Sequence, residues 1–424
     1  MSGIHRRDFI AGSAATIALS TTAKAAANKA NNKVVLALMG AHNRGSQLAK
    51  RFGPVEGVEI AYVCDPDERQ LSKGIAAVAD GGQQKAAQGV RDFRQALDDP
   101  NIDGLICAAP NHWHAAATIM ACQAGKHVYV EKPCSHTPEE GELMIAAAQK
   151  AGKVVQVGMQ RRSGALYQQM VEKVRGGAIG EVLLGKSFYF NNRPSVGHAE
   201  PETPPSWLDF DLWQGPVTEQ PYRSNILHYT WHNFWHWGNG EIGNNGVHTI
   251  DICRWAMGID FPSRVDVHGC KLRYEDDQQT PDTMNASFQC GDKLITWEGV
   301  SWSDPYQTGN QIGIELRGTE GTLFINDGGM TIYDLDRKPV EKLSGSRGDT
   351  EHIEDFLTCI RAGGTPHANL DEGHRSVMFC HLANIAHRCG QSLDLDPKTG
   401  HLIDGGPGQD LWQIEYRDQW MPTL

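Results

Sequence analysis

Three features of the sequence predict an α/β protein: a doubly wound parallel sheet of Rossmann type, followed by an α+β domain with a largely antiparallel open sheet. Apolar runs of strand length alternate with helical stretches as far as about residue 160, the pattern of a parallel sheet covered by helices. The first run leads through a glycine-bearing turn into a helix, which is how dinucleotide-binding folds begin. After Gly158 the texture changes to polar, proline- and tryptophan-rich loops and then to strand-like runs. With 424 residues the chain exceeds the usual size of one domain. The predicted division is an export signal over 1–30, a nucleotide-binding domain over 33–157 and a second domain over 158–424.

The N-terminus reads as a twin-arginine export signal. Arg6 and Arg7 precede Phe9 and Ile10, a mild apolar stretch runs to Leu19, and small residues with an A-x-A pattern occupy Thr21 to Ala27. That stretch is too short to span a bilayer, so the mature chain is expected in the periplasm without membrane insertion. The translocase would be a partner only during export. The ten cysteines form no C-x-x-C pair and no metal-type spacing, and are expected to be small core residues. A formal charge of −12 argues against nucleic acid as a partner.

Val34–Met39 is a continuous apolar run, as a buried parallel strand requires. Val58–Cys64 is the second, Asp103–Ala109 the third, His127–Val130 the fourth, and Val154–Val157 closes the set. Between the last two a helix is well signed: Thr137 as cap, Pro138 at its first position, Glu140 completing a capping box and Gly152 ending it. In the second half Arg264–His268, Lys293–Trp297 and Ile312–Leu316 read as strands, and Gly318–Thr322 as a hairpin turn into Leu323–Ile325. Helical stretches over 350–362 and 372–389 complete that domain.

The turn after the first strand is Gly40-Ala-His42-Asn43-Arg44-Gly45. Glycine is needed there where the turn is tight and where pyrophosphate meets backbone N–H groups at a helix start. Gly40 and Gly45 fit the outer positions of G-x-G-x-x-G, and His42 takes the middle one. Asp65 ends the second strand, twenty-five residues after Gly40. A carboxylate there accepts from ribose hydroxyls and repels a 2′-phosphate, which favours NAD over NADP. Asp65 could equally cap the helix that follows Pro66.

Two further segments lie at strand carboxyl ends: Ala109-Pro110-Asn111-His112-Trp113-His114 and Glu131-Lys132-Pro133. With Gly158-Met-Gln160, Asp211-Leu-Trp213-x-Gly215-Pro216, Gly246-Val-His248-x-x-Asp251 and Gly373-His-Arg-Ser376, the chain resembles the glucose–fructose oxidoreductase / inositol dehydrogenase / rhizopine catabolism (Gfo/Idh/MocA) family over essentially its mature length. The resemblance implies hydride transfer between a carbinol carbon of a sugar or cyclitol and nicotinamide. It implies a cofactor site of Gly40, His42, Asn43, Arg44, Gly45, Asp65, Pro110, Asn111, His114, Glu131, Lys132 and Gln160. Lys132 would be the base, or would polarise the hydroxyl, with its pKa lowered by burial; the alternative is a structural ion pair with Glu131. His248 is the second catalytic candidate, with Asp251 three residues on. Many relatives carry aspartate where this chain has Asn244, which can bond substrate but cannot stabilise a protonated His248. Association as a dimer or tetramer is a further implication.

His228, His232 and His236 recur at four-residue spacing, which a helix would align on a metal, but the surrounding aromatics and Gly238 favour a loop and no metal is expected. Trp213, Trp231 and Trp235, with Asn244 and Asp251, are the expected substrate wall, a core aromatic cluster being the alternative. Since NAD is a cytoplasmic solute, an exported enzyme of this kind is expected to keep its cofactor bound and to recycle it. That allows sugar oxidoreduction, NAD-dependent glycoside hydrolysis through transient oxidation, or, without catalysis, simple sugar binding.

Overall fold

The computed structural model describes residues 33–304 and 310–421; the expected export signal lies outside them. Six parallel strands form the first sheet: β1 (Val34–Met39), β2 (Val58–Cys64), β3 (Gln88–Val90), β4 (Gly104–Cys107), β5 (His127–Val130) and β6 (Val155–Val157), in the order β3-β2-β1-β4-β5-β6. Five of them are the apolar runs. The sixth, β3, is an edge strand of three residues with two exposed, so no apolar run marks it. The strand order reverses between β1 and β4, and open parallel sheets bind ligands beside that switch point.

Helices α1 (Asn43–Phe52), α2 (Glu68–Asp80), α3 (Asn111–Gln123) and α4 (Pro138–Ala151) connect these strands. The end signals of α4 act as expected: Thr137 and Glu140 form the reciprocal capping box, and Gly152 adopts the left-handed conformation at its end. At the start of α2 the cap is Asp67, whose side chain accepts from the Arg69 N–H, and not Asp65.

The second sheet contains β7 (Val182–Asn192), β8 (Arg264–Cys270), β9 (Thr283–Cys290), β10 (Lys293–Val300), β11 (Trp302–Ser303), β12 (Ile312–Gly318), β13 (Thr322–Asn326), β14 (Gly329–Tyr333), β15 (Pro339–Leu343) and β16 (Leu393–Asp394). Its main order is β15-β14-β13-β12-β7-β10-β9-β8-β16. Pairing is antiparallel except for β7 with β10. Helices α5 (Ala165–Arg175), α6 (Val247–Met257), α7 (Asp349–Ala362) and α8 (Leu370–Cys389) follow the predicted second-domain texture. The packing of α7 differs from expectation. Its Ile353, Phe356 and Leu357 lie in one buried cluster with Leu36, Leu38, Phe52 and Tyr129, so a helix from the far end of the chain covers the first sheet. Phe356 meets Phe52 and Tyr129 edge-on at 6.4 and 5.9 Å. Phe356→Ala is therefore expected to cost about 3–5 kcal/mol, measured by chemical denaturation of the whole chain, with the nucleotide-binding half affected as strongly as the other.

Candidate active site

The β1–α1 turn is built for close approach. Gly40 has φ +84°, and a Cβ there would stand 2.7 Å from the backbone of Ala108. At Gly45 a Cβ would meet the Gly40 carbonyl oxygen at 1.8 Å. Only glycine permits either contact, which presses the start of α1 against the ends of β1 and β4. No acidic residue stands in the first turn of α1 and no side chain bonds to its cap, so its N-terminal N–H groups suit an anion. His42, at the middle position of the motif, lies within 5.2 Å of the His228 ring. Gly40, His42, Asn43, Arg44, Asp65, Pro110, Asn111, His114, Glu131 and Lys132 line one cleft of about 440 Å³. Among the predicted cofactor residues, Gly45 is packed beneath it, and Gln160 begins a short 3₁₀ turn outside its wall.

Asp65 ties this turn together. Its two carboxylate oxygens accept from the N–H groups of Ala41 (2.8 Å) and Asp67 (2.9 Å), and each retains a lone pair for a further donor. Burial pushes its carboxyl up to about 6, against the pull of those two bonds. The second domain reaches over this end of the cleft. The Glu68 N–H donates to Trp207 O (3.1 Å) and the Asp209 N–H to Pro66 O (3.0 Å). The Arg69 guanidinium lies 3.2 Å over the Trp207 ring, and His228 Nε2 stands 2.6 Å from Asp67 Oδ2. Together these contacts form a clasp.

At the other end, Glu131 pairs with Arg44 at 2.6 Å. A Cβ at Gly158 would stand 2.8 Å from the Glu131 carboxylate, which gives that glycine a physical reason. Burial raises the Glu131 carboxyl, but Arg44 and Lys132 outweigh burial and hold it below the ordinary range. Glu131 thus serves Arg44, and Lys132 is not its structural partner in an ion pair. The Lys132 ammonium instead donates to Asn244 O (2.6 Å) and Asn244 Oδ1 (3.2 Å). Burial depresses its pKa to about 8, close to where a general base is useful.

Asn244 belongs to a widened turn, Ile242–Gly246, with π-type hydrogen bonding, a form that often occurs at functional sites. Its amide nitrogen donates to Tyr229 Oη (2.8 Å) and Glu241 Oε1 (3.2 Å), which leaves the amide oxygen facing Lys132. Glu241 is buried, pairs with Arg193 at 2.7 Å and lies 3.2 Å from His232 Nε2. Burial works against its ionisation, but the His232 bond and the Arg193 charge hold it well below the usual carboxylate range. A buried carboxylate, that of Glu241, thus stands behind Asn244, one residue removed from the lysine. Sequence reasoning overlooked Glu241, Tyr229 and Arg193. The signal was a glutamate three residues before Asn244, a spacing that makes the two neighbours on one helical face.

Several predicted residues have other surroundings. Asp251 is not a substrate group: Arg162, from the 3₁₀ turn Gln160–Ser163, grips it at 2.8 Å and Ser376 of α8 also donates to it, all three buried. Glu372 bonds Arg162 (3.0 Å) and Arg254 in the same network, which accounts for the Gly373-His-Arg-Ser376 segment. His248 opens α6, buried, with Nδ1 unpartnered among the described residues. Burial, then Arg161 and Lys132, keep it neutral, and it is not in the cleft wall. The His114 ring nitrogens lie 2.6 Å from Pro133 O and 2.8 Å from Ala109 O, bracing the lysine loop against α3. Trp213 is part of a buried aromatic cluster with His112 and Trp237 and touches the cleft only at its edge. Trp231 lines the cleft, whereas Trp235 faces a different cavity, because the backbone turns between them. His228, His232 and His236 diverge to Asp67, Glu241 and the Thr218 carbonyl.

Comparison with known proteins agrees with this geometry. The family model "Oxidoreductase family, NAD-binding Rossmann fold" matches residues 21–159, and "Oxidoreductase family, C-terminal alpha/beta domain" matches 184–422. Levoglucosan dehydrogenase of Pseudarthrobacter phenanthrenivorans is 28% identical over 190 residues, 43% of this chain and 42% of that one. A glycosyl hydrolase family 109 protein of Shewanella pealeana is 30% identical over 161 residues, 37% of this chain and 35% of that one. The chain thus spans less than half the length of these curated relatives. Among solved structures, levoglucosan dehydrogenase in complex with NADH superposes with a TM-score of 0.66 at 20% identity, covering 85% of this chain and 99% of that one. Aldose-aldose oxidoreductase from Caulobacter crescentus, complexed with glycerol, gives 0.66 at 19% identity, covering 86% and 100%. With both halves matched in order, the chain belongs to the Gfo/Idh/MocA oxidoreductase family, with an NAD-binding Rossmann domain and a C-terminal alpha/beta domain.

Proposed function

We propose that this protein is an NAD-dependent oxidoreductase that moves hydride between a carbinol carbon of a sugar or cyclitol and a nicotinamide it does not release. The observation that carries the reading is Lys132: buried, depressed to about 8, held by Asn244, and in the same cleft as Gly40 and Asp65. NAD, when bound, supplies the hydride acceptor. The chain's residues do the rest. Asp65 offers its free lone pairs to ribose hydroxyls, and the start of α1 receives the pyrophosphate. Neutral Lys132 takes the substrate hydroxyl proton as the C–H bond breaks, and Asn244 and Glu241 keep its nitrogen aimed. Trp231 and Tyr229 wall the substrate end.

The test is to load the protein with NAD and mix it with a panel of sugars and cyclitols, following the near-ultraviolet absorbance of reduced nicotinamide. At least one member is expected to reduce the bound cofactor stoichiometrically; no reduction by any, with NAD demonstrably bound, sinks the reading. Cofactor affinity should also fall as the pH drops through about 6, because Asp65 then protonates and loses its charge; titrations by nucleotide fluorescence on either side of that pH check it.

The Trp207–His228 clasp over the adenosine end supports retention, and retention is what makes work outside the cytoplasm feasible for a chain with a twin-arginine signal. Among the described residues no helix is long and apolar enough to cross a membrane. A second reading, transient oxidation of a glycoside followed by elimination and reduction, is favoured by the match to glycosyl hydrolase family 109 proteins; release of nitrophenol from a nitrophenyl glycoside distinguishes it from net oxidoreduction. Self-association as a dimer or tetramer would use the open face of the second sheet, where Phe188, Phe190 and Trp302 line a broad concavity. Light scattering showing a monomer would exclude that.

A further inference from the structure

Lys132 and Tyr229 are held on the two sides of a single amide. Asn244 Oδ1 accepts from the Lys132 ammonium at 3.2 Å, and Asn244 Nδ2 donates to Tyr229 Oη at 2.8 Å. The orientation of that amide is forced. Its nitrogen gives a second hydrogen to Glu241 Oε1 at 3.2 Å. Turned over, the amide would set its hydrogens against the ammonium and its oxygen against the carboxylate. The spacing of Lys132 Nζ and Tyr229 Oη is therefore fixed by one rigid group.

The role of the phenol oxygen is fixed as well. Arg193, which can only donate, gives it a second N–H bond at 3.2 Å. Its guanidinium lies 5.1 Å from the Tyr229 ring. An oxygen that accepts from two N–H groups keeps its own hydrogen for a third partner, and among the described residues no acceptor takes it. Tyr229 is 40% exposed and lines the cleft with Lys132, Trp231 and Asn244, so that hydrogen is available to whatever occupies the substrate end. The two bonds into the oxygen polarise the O–H and strengthen it as a donor.

Lys132 and Tyr229 thus ask different things of a substrate. The neutral lysine takes a hydroxyl proton, whereas the tyrosine needs a lone pair to donate to. The amide bridges them with an oxygen and a nitrogen on one carbon. A substrate that meets the same two atoms from the cleft needs two oxygens at a similar spacing. Oxygens on adjacent ring carbons have it, and equatorial oxygens further round the ring stand too far apart. We infer that Tyr229 determines specificity: its hydroxyl donates to an oxygen on the carbon next to the one oxidised, so the site selects a vicinal diol. A ring with only hydrogen at that carbon forgoes the bond, and one with an ammonium there sets donor against donor. The inference deepens the proposed function and rests on its placing of the reacting carbinol at Lys132.

The experiment uses the full NAD-loaded protein and three probes: cyclohexanol, the trans vicinal cyclohexanediol, and the aminocyclohexanol in which an ammonium replaces one hydroxyl of that diol. Binding is read by ligand-observed NMR titration for the unaltered protein and for Tyr229→Phe. The diol is expected to bind about tenfold more tightly than cyclohexanol, the worth of one hydrogen bond, and the amine no better than cyclohexanol. In Tyr229→Phe the advantage of the diol should vanish. A diol held no better than cyclohexanol, whether both bind or neither does, overturns the proposal, and so does an amine that matches the diol. Tyr229→Phe also releases Asn244, but a purely structural role would weaken diol and cyclohexanol equally; an advantage that survives the substitution is therefore a third overturning result. Turnover is not the readout, so the two failures separate. An advantage erased by Tyr229→Phe, with no sugar ever reducing bound NAD, sinks the activity alone; reduction by a sugar without any such advantage sinks this assignment alone.

Discussion

Lys132→Ala is expected to lower the rate of sugar-driven nicotinamide reduction by about 10²–10⁴-fold, the usual range for a lost general base, while NAD stays bound. Retention follows because the clasp, Asp65 and the Gly40 turn do not involve the lysine. The pH profile carries the sharper signature. Oxidation requires the neutral amine, so the rate should rise with pH up to about 8 and level off above it, and this limb should vanish in the variant. Glu241→Gln tests the network behind the lysine. The Glu241 charge raises the Lys132 pKa against the burial that lowers it; removing the charge should move the limb to lower pH and reduce the plateau. A profile unmoved by Glu241→Gln would mean that Asn244 is oriented by Tyr229 alone.

The second large effect concerns stability. Asp251→Ala removes one partner of a pair whose side chains are 2% and 3% exposed, leaving the Arg162 guanidinium buried with only Glu372 to balance it and Arg254. Breaking such a pair costs about 3–5 kcal/mol, which denaturant unfolding would register directly. Burial pushes Glu372 up, but Arg254 and Arg162 overcome it and bring its carboxyl down to about 2. Its folded pKa is thus depressed. The stability it contributes is complete above the ordinary carboxylate value of 4.5 and is lost as the pH falls from there through about 2. Acid unfolding should begin in that window, and a Glu372→Gln protein should lack part of the transition.

The parallel sheet was legible in the sequence because buried strands are written as uninterrupted apolar runs, from Val34–Met39 to Val155–Val157. The edge strand Gln88–Val90 was not, since two of its three residues face solvent. The placement of α7 was also hidden. Its apolar stripe says that it packs on something, but not that the partner is a sheet some three hundred residues earlier. Around the site, the glycine turn and the end of the second strand pointed to Gly40 and Asp65, because those positions follow from local backbone requirements, while Lys132 was marked by the family resemblance of the Glu131-Lys132-Pro133 segment. Asp251 was misread because a carboxylate three residues after His248 looks the same whether it meets substrate or Arg162, and Arg162 is distant in sequence. Glu241 was missed for the converse reason: a glutamate three residues before Asn244 looks like a solvent-facing residue in the sequence, and its partners Arg193 and His232, which bury it, come together only in the fold.

The most direct test of the account is the nucleotide content of the protein itself. Purified without added cofactor, denatured, and assayed by mass spectrometry, it is expected to release NAD in near-stoichiometric amount and little NADP, as a clasped cleft with Asp65 at the ribose requires. A preparation that releases no nucleotide and takes up none when NAD is supplied would contradict the account.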